Sequence, residues 1–81
     1  MIEKEIAKPR LAYHVRRVRR LLGMTQTDLS EASRVEQGTI SQIERAKVVP
    51  NYVDVINIAE ALNTTVETLL KPVEQEQFQK I

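Results

Sequence analysis

Four polar or small residues lie within a run of six, Gln37, Gly38, Ser41 and Gln42, in the stretch "TQTDLSEASRVEQGTISQIE". A carboxamide donates and accepts hydrogen bonds at once. That is the chemistry needed to meet the edge of an adenine, which offers an N6 donor beside an N7 acceptor. Gly38 and Ser41 are small, so a helix carrying them can approach a partner closely. Gln42 follows Gln37 by five residues, about 140° round a helix, so the two meet one groove at opposite walls or along its length. The chemistry of catalysis is missing by comparison. With no cysteine and a single histidine, His14, the chain lacks a thiolate or multi-histidine metal site. Neither a Ser/His/Asp nor a His/Cys constellation nor a Gly-rich phosphate loop is present, so no catalytic residue, metal or cofactor is expected.

The charge balance points the same way as the glutamines. The formal net charge is only +1, but it is divided: residues 1–50 hold ten Lys/Arg and six Asp/Glu, and residues 51–81 hold two and five. A basic part and an acidic part suggest that one face meets a polyanion. Tryptophan is absent and aromatics make up 4% of the chain, which argues against a stacking platform for single strands. No apolar run approaches the ~20 residues of a membrane span. "MIEKEIAKP" has no apolar core of a secretory signal, so a cytoplasmic protein of bacterial or phage type is expected.

The elements that must position these side chains are helices. Apolar residues follow helical spacing, and no period-two alternation or Asn-Gly hairpin turn appears. Leu11, Val15, Val18 and Leu22 form one stripe, with Arg16, Arg17 and Arg20 pointing away. Pro9 is expected to mark the start of this first helix and Gly23 its end. Thr25 caps a second helix, with Asp28 completing a capping box. That helix must stop near Ser33–Arg34, and a third runs from about Gln37 to Arg45 with Ile40 and Ile43 inward. Asn51 caps a fourth, carrying Tyr52, Val55, Ile58, Ala59 and Leu62, which ends at Asn63. Thr65 caps a short fifth with Val66, Leu69 and Leu70, and Pro72 ends it. Helices this short are unstable alone and must share a core. The expected fold is therefore a compact all-α domain over residues 10–71, with an arm at 1–9 and a polar tail at 72–81. Helices two and three are joined too tightly to pack antiparallel, which gives a helix-turn-helix.

Here the residues carry a resemblance. From Leu11 to Leu70 the chain resembles the lambda-repressor/Cro-type, or XRE, family, through Arg16, Arg19, "LGMTQTDLS", "GTISQIERAK", "PN" and "VINIAEALNTTVETLL". The resemblance implies five helices, a helix-turn-helix from Gln26 to Arg45, two-fold homodimers and double-stranded DNA as partner. Residue by residue, Gln37, Gly38 and Gln42 match base-reading positions. Gln26 matches the glutamine that opens helix two and contacts a phosphate. Thr39 and Ser41 match phosphate-touching positions, and Lys47 a loop lysine beside the backbone. Arg19 and Glu44 match an ion pair joining helices one and three. Of Arg16, Arg17 and Arg20, one or two are expected to reach phosphate; Arg16 and Arg17 are the candidates.

The departures from the family pattern are local. Arg34 stands where the family usually has glycine and must adopt a left-handed conformation or reshape the turn. Ala46 replaces a glycine after helix three, and Ser33 an apolar residue. Glu36 replaces a capping Ser or Thr; its charge suits a helix N-terminus, and accepting from a cytosine amine is its other reading. His14 reads as a surface or boundary residue. Phe78 and Ile81 read equally as frayed tail or interface padding. The dimer interface is expected at Thr64, Thr65, Val66, Leu69 and Leu70, with Phe78. The function expected is a sequence-specific transcriptional regulator acting by occupancy of a pseudo-palindromic operator: a phage-type repressor or a restriction–modification controller. The alternative is an antitoxin or anti-repressor acting mainly through a protein partner.

Overall fold

The structure, a computed structural model, describes residues 2–73. These contain five helices: α1 (Lys4–Leu21), α2 (Gln26–Ser33), α3 (Gln37–Glu44), α4 (Tyr52–Ala61) and α5 (Val66–Leu69). No strand occurs among the described residues. One core joins them, built from Leu11 and Val15 of α1, Leu29 of α2, Val35 of the turn, Ile40 and Ile43 of α3, Ile58, Ala59 and Leu62 from α4 and its end, and Leu69 of α5. Both α1 and α2 pack on α3, and α2 also packs on α4.

The N-terminal caps form where the side chains allow them. Thr25 Oγ1 accepts from the Asp28 N–H, and Asp28 Oδ2 accepts from the Thr25 N–H, both at 2.9 Å. Asn51 and Thr65 accept from Asp54 and Thr68 in the same way. Each supplies a partner to an otherwise orphaned helical N–H, worth about 1 kcal/mol.

Four helices end on a left-handed residue, and only one of these is glycine: Gly23, Arg34, Ala46 and Asn63, with φ of 70°, 62°, 59° and 57°. Gly23, Ala46 and Asn63 each donate back to the carbonyl three residues earlier, and the following residue reaches back five. This is the Schellman closure. Arg34 adopts the left-handed conformation rather than reshaping the turn. Two serines hold that turn closed: Ser33 Oγ donates to the Leu29 carbonyl (2.7 Å) and accepts from the Val35 N–H (3.2 Å), and Ser30 Oγ donates to the Val35 carbonyl (2.6 Å). A buried hydroxyl at Ser33 is thus satisfied twice, which accounts for a polar residue at this position.

Five expectations are corrected. Pro9 does not start α1: the helix begins at Lys4 and Pro9 lies inside it, so residues 4–9 are helical rather than an arm. The proline removes one intrahelical bond, to the Glu5 carbonyl, but both residues are exposed, where water can serve that carbonyl, and the extra turn buries Ala7. Leu22 is 50% exposed; it is the α1 cap, its N–H still bonded to the Val18 carbonyl, and lies at the end of the helix rather than over the core. Tyr52 is 73% exposed; it opens α4 at the rim of a groove that also touches Val66 and Leu70. His14 is buried, not at the surface. Its Nε2 lies 3.0 Å from the Lys71 carbonyl, while Arg10 donates to the Leu70 carbonyl at 3.2 Å. Finally, Leu69 is fully buried. It closes the chain's own core and is unavailable to a dimer interface.

Candidate nucleic-acid interface

The outer side of α3 is assembled as the spacing requires. Ile40 and Ile43 are buried, whereas Gln37, Gly38 and Gln42 are exposed and Thr39 and Ser41 lie at the boundary. A Cβ placed on Gly38 would meet nothing within 4 Å, so its glycine keeps the surface low and does not relieve a clash. Glu36 precedes α3 without a side-chain cap bond. The first-turn N–H groups therefore lack a side-chain acceptor from Glu36, although its charge suits the helix end.

Behind this face lies a chain of polar contacts. Arg19 and Glu44 are 8% and 5% exposed. They pair through two bonds, Nε to Oε2 at 2.6 Å and Nη2 to Oε1 at 2.9 Å. The remaining guanidinium nitrogen, Nη1, donates to the Met24 carbonyl at 2.8 Å. The α1 cap, α3 and the start of α2 are thereby locked by one arginine. Gln26 Nε2 donates to Glu44 Oε1 at 3.2 Å. Gln37 Nε2 in turn donates to Gln26 Oε1 at 2.8 Å. Burial pushes the Glu44 carboxyl up, but the bonds from Arg19 and Gln26 and the charges of Arg19 and Arg16 outweigh it and hold the group below its usual range. The Arg19 guanidinium is held still more basic than usual by its bond to Glu44.

Three arginines of α1 stand beside the end of α3. Taking about 100° per residue, Arg16 and Arg20 lie about 60° and 100° round α1 from Arg19, while Arg17 lies about 160° away. Arg16 Nε stands 3.9 Å from Glu44 Oε1, at the C-terminal end of α3. Arg17 sits over the Tyr13 ring at 6.0 Å. Arg16, Arg17 and Arg20 all line one groove with Glu44 and Ala46 at the end of α3. Lys47 is exposed just past the left-handed Ala46, and Arg45 is exposed at the α3 cap. Sequence reasoning passed over Arg45, although a cation next to a helix that presents glutamines was visible. It also assigned Gln26 to phosphate alone and missed its bonds to Glu44 and Gln37. Of the expected interface residues after α4, Thr65 is exposed and Thr64, Val66 and Leu70 are half-buried; Phe78 and Ile81 lie outside the described residues.

A model of the helix-turn-helix family matches residues 15–69, more than half of the 81 residues. This chain belongs to the helix-turn-helix family. Membership supports a DNA-binding transcriptional regulator. The crystal structure of a hypothetical transcription factor, NHTF, from Neisseria has the same fold: the TM-score is 0.79 over 96% of this chain and 86% of that one, at 24% identity. None of the curated proteins matches at a significant level. In the helix-turn-helix frame, α2 and α3 are the paired helices, the serine-closed turn sets their angle, and α3 is the one whose outer face is free of core duties. Among the described residues no group of His, Asp or Glu side chains is placed to hold a metal, and no helix is long and apolar enough to cross a membrane.

Proposed function

We propose that this chain is a sequence-specific, double-stranded DNA-binding transcriptional regulator that acts as a homodimer by occupying a pseudo-palindromic operator. The observation that carries the reading is the outer face of α3: exposed Gln37, Gly38 and Gln42 on a helix anchored from behind by Arg19 and Glu44. An α-helix of this kind fits the major groove. Gln37 and Gln42 read base edges, Gly38 permits close approach, and Thr39, Ser41, Lys47 and Arg16 lie where phosphates would pass. Phosphate contacts position the helix and base contacts specify the site.

One recognition helix reads too few base pairs for a unique site, so two copies would span half-sites about 34 Å apart. With Leu69 consumed by the core, the apolar surface for pairing comes from Val66, Leu70 and the exposed Tyr52 and Val53. Regulation is then by occupancy of that operator.

The test is a selection from random duplexes followed by a salt titration of the winner. If the dimer neutralises about eight phosphates, log K falls against log salt with a slope near −7. No enriched sequence, or a flat salt dependence, would refute the reading.

A further inference from the structure

The contacts behind α3 have a direction. A carboxylate can only accept hydrogen bonds, whereas an amide can present either its oxygen or its nitrogen to a neighbour. Glu44 is buried against Arg19, so whatever else faces its Oε1 must be a donor. Gln26 faces it with Nε2, 3.2 Å away. The other end of that amide, Oε1, is thereby turned towards Gln37. Gln37 must meet an acceptor with a donor, and its Nε2 stands 2.8 Å from Gln26 Oε1. One N–H of Gln37 is used in this bond. Its Oε1 and second N–H remain, on an exposed residue at the start of α3.

We propose that Glu44, acting through Gln26, sets the polarity of the Gln37 amide and thereby makes adenine the base that Gln37 selects. The proposal rests on the reading that α3 faces the major groove. Adenine presents N6–H2 as donor and N7 as acceptor. With its nitrogen anchored towards Gln26, Gln37 offers an acceptor and a donor in one fixed order. A flipped amide reverses that order and sets N–H against N6–H2 and oxygen against N7, both repulsive. Without an anchor the two orders compete and discrimination falls. Glu44 is then a positioning residue: it touches no base, yet a defect there is read out at one base pair. Arg19 keeps the carboxylate in place by two bonds of its own, so the direction of the relay is fixed by the most buried polar pair in the domain.

Two measurements test this. The first is a base-substitution affinity profile, on the selected operator, for wild type, Glu44→Gln, Gln26→Leu and Gln37→Ala. Glu44→Gln keeps the shape but can donate to or accept from Gln26. Gln26→Leu keeps the Arg19–Glu44 pair and removes the link, so it remains informative should Glu44→Gln fail to fold. At the position lost in Gln37→Ala, both variants should reduce the preference for adenine about fivefold or more, the lower end for a bidentate pair, and leave the Gln42 position as in wild type. A folded Glu44→Gln with wild-type preference overturns the proposal. The second measurement uses free wild-type protein: scalar couplings across hydrogen bonds, by nuclear magnetic resonance, from the Gln26 side-chain N–H to the Glu44 carboxylate and from the Gln37 N–H to the Gln26 carbonyl. Both couplings support the relay; a coupling from the Gln26 N–H to the Gln37 oxygen overturns it. Should the couplings appear while wild type selects no duplex, the DNA reading fails and the assignment to adenine falls with it.

Discussion

Helix α1 grips the rest of the domain at two places, and it does so by different chemistry. Near its C-terminal end Arg19 reaches α3 and engages a full charge, Glu44, through two short bonds. Near its middle Arg10 and His14 reach the end of α5 and bond to backbone carbonyls, those of Leu70 and Lys71. The first grip continues outward through Gln26 to Gln37 at the surface. At the second, His14 Nδ1 is buried and has no hydrogen-bond partner among the described residues. A face that must hold polar groups in a set orientation is anchored by charge, because charge dictates donor and acceptor. The end of α5 is held by apolar burial and by side-chain bonds to its backbone carbonyls.

The comparison is broken most forcefully at Glu44. Glu44→Ala leaves the Arg19 guanidinium buried and unpaired, and removing one partner of a buried pair costs about 3–5 kcal/mol; chemical denaturation measures it. Because the folded carboxyl is held below its ordinary range, the pair contributes fully above the pH at which a free carboxylate titrates, about 4. The contribution is lost only as pH falls further, through the folded value. Wild-type stability should therefore drop below about pH 4 more steeply than that of Glu44→Ala. Parallel acid profiles of the two proteins would contradict the ionic grip.

At the other grip, His14→Ala leaves the Lys71 carbonyl without its donor. Lys71 is exposed, so water can serve its carbonyl, and the expected loss is about 0.5–1.5 kcal/mol, the net value of one hydrogen bond. The base-preference profile should stay that of wild type, because the His14 bond runs to the end of α5 and not to α3. A changed profile in a folded His14→Ala would erase the contrast between the two ends.

How much of this was legible in the sequence follows from how far each feature reaches. Gly23, Thr25 with Asp28, Asn51 and Asn63 act within four or five residues, and their roles could be read directly. Pro9 misled because its local cost is set against the burial of Ala7, which only the fold supplies. Tyr52 fits the periodicity of α4, but periodicity does not say where the neighbouring helices stop. Arg19 and Glu44 came through the resemblance rather than through spacing. The bonds of Gln26 to Glu44 and Gln37 span 18 and 11 residues, and their existence depends on the angle between helices.

The turn between α2 and α3 gives a smaller effect of opposite sign. Arg34 sits at φ 62°, where a residue with a Cβ pays on the order of 1 kcal/mol. Arg34→Gly relieves that strain but adds freedom to the unfolded chain, which offsets part of the gain. The net expectation is a stabilisation of up to about 1 kcal/mol by denaturant titration, with base preference intact. A loss of stability would mean that the Arg34 side chain has a stabilising role of its own.

The smallest effect on stability belongs to Lys47, which is exposed, follows α3 and forms no ion pair among the described residues. Replacing it should move the denaturation midpoint by less than about 0.5 kcal/mol. Its role lies on the binding side alone. A lysine on a phosphate neutralises one charge and releases about one counterion, so Lys47→Ala should weaken every duplex alike and make the salt slope shallower by about one for each copy bound. The glutamine variants should do the reverse: Gln37→Ala and Gln42→Ala lower preference at distinct base pairs and leave the slope alone. Slope and preference thus separate the solvated rim from the anchored face. If Lys47→Ala changed base preference while both glutamine variants kept the wild-type profile, the reading surface would lie on the loop after α3 and not on α3 itself.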